Sequence, residues 1–141
     1  MADPFDLQRF LAAQAHTHDQ ALAELERGHK QSHWMWFVFP QIAGLGQSAT
    51  ARRYAIASRD EASAYLAHWV LGSRLIQCTA AMLRHAGRPP EAILGSIDAM
   101  KFHSSMTLFD AVAEGSQPIF AKALAAFHGG ERDRRTLELL A

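Results

Sequence analysis

The chain has 141 residues, 49% of them hydrophobic, which is enough for one domain with its own core and too many for a disordered polypeptide. Fourteen basic residues balance fourteen acidic ones, which removes the broad positive footprint of a nucleic-acid binder and confines any anion site to a local cluster. The single Cys78 forms no intramolecular bridge, no run reaches the ~18 apolar residues of a membrane span, and MADPFDLQRF has neither part of an export signal, so the expected compartment is the cytoplasm, with no membrane partner.

Asp3 followed by Pro4 reads as a helix start, and Phe5, Leu7, Phe10 and Leu11 supply an apolar stripe ending near Gln14. Thr17 is placed to cap a second helix through HDQALAELER, which Gly28 closes. The stretch SHWMWFVFPQ, Ser32 to Gln41, has no partner segment with sustained alternation and reads as a short helix buried on nearly all sides. Ser48 or Thr50 opens the next helix, and Ser58 with Glu61 forms a capping box. Leu71, Leu75, Cys78 and Met82 then share one helical face until Gly87 and Pro89-Pro90 interrupt it. Ser96 caps IDAMKFH, and Ser104 or Ser105 caps MTLFDAVAE. Ser116 to Pro118 opens IFAKALAAFH, and ERDRRTLELLA is a last helix whose charged first turn frays. The expected fold is all-α: one compact domain over residues 1–141 with about seven or eight short helices.

Three constellations carry chemistry. On a helix Trp34 and Trp36 stand about 200° apart, so only one of them faces any given pocket; most of the aromatic block reads as core. Its polar ends, His33 and Gln41, need partners or a ligand, and the expectation is that His33 and Trp34 border a pocket. The turn GLGQSATARR follows. Gly44 and Gly46 permit close backbone approach, Ser48 starts a helix, and Arg52 adds charge, so the turn reads either as an anion site or as a plain capped turn.

The segment DAMKFHSSMTLFD holds Asp98, Lys101 and Ser105 at i, i+3 and i+7, with Ser104 and Thr107 beside them. A desolvated Lys101 activates Ser105 as a nucleophile, an effect Asp98 opposes by favouring the charged ammonium. The plain alternative is an Asp98–Lys101 surface pair followed by a helix break. His29 and His33 have ligand spacing but no accompanying zincin glutamate, so neither a metal site nor a cofactor is expected.

The aromatic block HWMWFVFPQ and the block DAMKFHSSMTLF, with ALAELERGHKQ, EASAYLAHWVLGSRL and TLELL around them, resemble a family of small bacterial proteins known as a domain of unknown function, family 1810. The resemblance spans nearly the whole chain and implies a helical single domain with no established activity or catalytic residues. Members typically carry proline where this chain has Trp69, which softens the break expected there. The functional expectation is that the glycine turn and the Asp98 to Thr107 segment converge beside His33 and Trp34 on a small phosphate-bearing or nucleotide-like molecule. By analogy with NAD and ADP-ribose-processing domains, metal-independent hydrolysis or glycosidic cleavage is the reaction class to test. The competing expectation is a non-catalytic interaction or homo-oligomerisation module built on the aromatic segment.

Overall fold

The structure is a computed structural model that describes residues 3–141. Ten helices occur among these residues: α1 Gln8–Gln14, α2 His18–Arg27, α3 Met35–Val38, α4 Ala49–Arg53, α5 Arg59–Ala67, α6 Trp69–Leu83, α7 Pro90–Leu94, α8 Ser96–Ala113, α9 Ile119–His128 and α10 Arg134–Leu140. No strand forms among the described residues; one isolated parallel bridge ties Ile42 to Ile56. No helix of the described residues is long and apolar enough to cross a membrane.

Several boundaries fall where the capping chemistry puts them, although Thr17 and Ser96 do not cap α2 and α8 with their side chains. Gly28 takes the left-handed conformation that ends α2, and Ser48 and Ser58 accept backbone amides from Ala51 and Glu61. Asp3 also caps, but its carboxylate reaches the amides of Leu7 and Gln8, so α1 begins later than its proline suggests. The break between α5 and α6 is held by His68, whose Nδ1 accepts from the amides of Val70 and Leu71; Trp69 at the first position of α6 leaves the turn intact.

The main correction to the predicted elements concerns α8. Instead of two short helices meeting at Ser104 or Ser105, residues 96–113 form one continuous helix packed against α5, α7, α9 and α10. Ser104 and Thr107 turn their hydroxyls toward carbonyls one turn back, so they stay inside the helix instead of starting a new one. Residues 104–109 of α8 are all buried, and Phe102 and Phe109 pack edge-on or tilted against Phe39, Tyr65 and Phe120. The helix therefore starts at the surface and runs into the centre of the core.

A second internal tie lies near the N-terminus. Arg9 pairs with Glu61 at 2.7 Å and donates to the carbonyls of Phe5, Asp6, Arg53 and Ala55, and Glu61 also accepts from the amide of Ala57. One guanidinium thus fixes α1 to the start of α5.

Candidate functional site

The loop after α2 is organised by one buried carboxylate. Glu24 accepts hydrogen bonds from the amides of Gln31 (2.7 Å) and Ser32 (2.9 Å), the Ser32 hydroxyl (2.6 Å) and Trp34 Nε1 (3.0 Å). Burial by itself raises the carboxyl's pKa, but donation from the Ser32 hydroxyl, both amides and the indole outweighs it and holds the value at about 2. Trp34 is consequently fully buried, and its indole N–H is spent on Glu24. It does not border a pocket, which corrects the expectation for this residue; the tryptophan on the other side of the segment does.

From that loop, Lys30 is carried to the start of α8, its amide bonded to the carbonyl of Ile93. Its ammonium contacts Asp98 Oδ2 at 2.9 Å, while Lys101 reaches Asp98 Oδ1 at 3.3 Å. The three side chains are partly buried, at 9%, 18% and 22% exposure for Lys30, Asp98 and Lys101. Lys101 also lies over the half-buried ring of Trp36, 4.7 Å from its centroid. Together with His33, which is exposed at the rim, these residues border a depression of about 330 Å³. Gly95 and Ser96 complete one wall, and no side chain caps the start of α8 beside them.

A second depression, of about 410 Å³, adjoins the first and shares Ile97 and Lys101 with it. Gln41, Leu45 and Gly46 form one side; Met100, Asp133 and Arg135 lie on the others. The glycine turn and the start of α8 therefore meet, although next to Trp36 and not Trp34.

Several other residues singled out in the sequence lie elsewhere or are occupied structurally. Ser105 is completely buried, its Oγ bonds to no group among the described residues, and Lys101 bonds to Asp98; no Ser–Lys dyad forms. The physical reason is the inward course of α8: positions sharing an angular face differ in depth. Ser104 lies 3.0 Å from Asp133 Oδ2, and Thr107 accepts from the amide of Asp133, so both anchor α10. Gly44, with φ +106°, stands against Leu139, and a Cβ on Gly46 would strike that of Ala51 at 2.5 Å; packing explains both glycines. Ser48 is an ordinary cap, and Arg52 is exposed beside Gln47.

Sequence reasoning missed Lys30, Trp36 and Arg135. Only the angular argument about the two tryptophans contained a signal, because it required one of them to face away from the core; nothing local connects Lys30 to Asp98. His103, which also lines the second depression, stacks on His128 with centroids 4.1 Å apart, and its Nε2–H donates to the carbonyl of Glu131. Burial and the neighbouring His103 push the His128 pKa down to about 4. Among the described residues no three or more His, Cys, Asp or Glu side chains gather closely enough to hold a metal.

The model of the family described as "Protein of unknown function (DUF1810)" matches residues 4–140. The chain belongs to that family. This DUF1810 chain is also similar to the conserved hypothetical protein Rv1873 from Mycobacterium tuberculosis, known from a crystal structure. The two share 49% identity over 98% of each chain, with a TM-score of 0.95. A search of curated proteins gives no match.

Proposed function

We propose that the depression between Lys30, Trp36, Asp98 and Lys101 binds the phosphate of a small phosphate-bearing molecule. The observation that carries this reading is the charge balance on its wall: two ammonium groups share one carboxylate. Lys101 meets Asp98 as an ion pair at 3.3 Å, and its three N–H donors leave room for an anionic ligand. The uncapped start of α8 adds its positive dipole end to the same wall. Trp36 holds Lys101 in place through its ring instead of stacking on the ligand, because the ammonium already occupies one face of the indole.

If a reaction takes place here, a hydrolytic or glycosidic step draws on Asp98, the carboxylate lining this depression, and not on Ser105. A thermal-shift screen with nucleotides, sugar phosphates and ADP-ribose tests the binding reading. A true ligand at a hundredfold excess over its Kd stabilises the fold by about 2.7 kcal/mol, and Lys101→Ala abolishes that gain. The reading fails if no compound raises the Tm, or if Lys101→Ala responds as wild type does.

One observation favours a second reading, a partner-docking or self-associating module. Ile97 and Met100, one turn apart on α8, are 73% and 72% exposed at the rim of the second depression. In that case the Tm ignores every small molecule and Met100→Ser changes the oligomeric state. Within the aromatic segment Trp34, Met35, Val38 and Phe39 are buried, which leaves the half-buried Trp36 as the tryptophan that can contribute to that surface.

A further inference from the structure

We infer that the second depression receives a neutral heteroaromatic ring attached to the phosphate, so that the ligand class is a nucleoside monophosphate and not a simple sugar phosphate. The inference rests on the phosphate reading above and adds the group that occupies the adjoining space. The two depressions share Lys101 and Ile97, so a molecule whose phosphate meets Lys101 extends directly into the second one.

Four features of that space select a flat, uncharged, hydrogen-bonding ring. Its apolar sides are Leu45, Ile97 and Met100, and a methionine thioether makes favourable contacts with aromatic rings. The Gln41 carbonyl accepts from the amide of Ile56, but its side-chain amide bonds to nothing among the described residues. That leaves a donor and an acceptor side by side, the pattern that glutamine presents to the edge of a base.

Arg135 lines the same space and forms no salt bridge among the described residues, while its neighbour Arg134 pairs with Glu138. A guanidinium free of a carboxylate is available to stack on a planar ring. Asp133, on the same wall, offsets the charge of Arg135, which suits a neutral ring better than a second phosphate. The ring is not expected on Trp36, whose face is covered by Lys101.

Calorimetric titration of the full chain with adenosine monophosphate, ribose 5-phosphate and inorganic phosphate tests the assignment. Adenosine monophosphate is expected to bind about tenfold more tightly than ribose 5-phosphate. Gln41→Leu should remove about that factor for adenosine monophosphate and leave ribose 5-phosphate unchanged, a difference in keeping with one or two lost hydrogen bonds. Since the Gln41 side chain holds no other group, the variant is expected to fold normally, which its circular dichroism and Tm verify. Equal affinity for the two organic phosphates, or unchanged adenosine monophosphate binding in Gln41→Leu, overturns the ring assignment while leaving the phosphate site standing. Absence of Lys101-dependent binding by all three probes overturns both.

Discussion

Glu24 and Asp98 lie on opposite sides of the same loop and use their charges in opposite ways. Glu24 is sealed: backbone amides, a hydroxyl and an indole fill its oxygens, and no lysine or arginine pairs with it among the described residues. Asp98 is open: its partners are two lysines on the wall of a depression, one of them with donors to spare. The first carboxylate builds the loop that delivers Lys30; the second spaces two cations apart. Polar groups that are fully satisfied specify the fold, whereas polar groups left partly unspent at a surface depression are the ones available to a ligand.

The largest effect is expected from opening the sealed side. Glu24→Ala strands two amides, a hydroxyl and an indole N–H, and it should cost about 3–5 kcal/mol in chemical denaturation. A stability change under about 1 kcal/mol would show that the loop does not depend on Glu24.

The same residue leaves a signature in acid. Its folded-state pKa of about 2 lies below the ordinary 4.5, so its contribution is fully present above about pH 4.5 and is lost as the pH falls toward 2. Glu24→Gln, less stable near neutrality, should lack that part of the acid slope when denaturation midpoints are compared across the window. An unchanged slope would assign the acid sensitivity to other groups.

The smallest effect on stability belongs to the open side and comes with a gain. Asp98→Asn should cost about 1–3 kcal/mol, because Lys30, only 9% exposed, loses its carboxylate and keeps the Ser32 carbonyl, while the more exposed Lys101 keeps access to water. The same change should tighten inorganic phosphate binding severalfold by removing the competing anion. Weaker binding in the variant would mean that Asp98 contacts the ligand directly instead of spacing the lysines.

This comparison also explains what was legible in the sequence. Gly28, Ser48, Ser58 and Pro118 marked helix ends correctly because a cap is a short-range event, decided by residues three or four apart. Ser104 and Ser105 resemble a helix start, yet the Met100 carbonyl one turn back and Asp133, the cap of α10, settle where Ser104 points. Trp34 and Trp36 could be separated by angle but not assigned to sides, since the deciding group is Glu24, in the preceding helix. The Asp98–Lys101 pair is an i, i+3 contact that spacing alone displays, and Gln41 stands out as a polar end of the aromatic block, while Lys30 and Arg135 join them only when distant segments meet around α8. The buried Ser105 shows that a shared helical face does not mean shared exposure.

Amide chemical-shift mapping during titration with adenosine monophosphate tests the central claim most directly, because it reports where the ligand sits as well as whether it binds. The account predicts that the largest perturbations fall on Lys30 and on Ser96 to Lys101, and that they vanish in Lys101→Ala. Perturbations centred on any other surface, or the same map in Lys101→Ala, would contradict it.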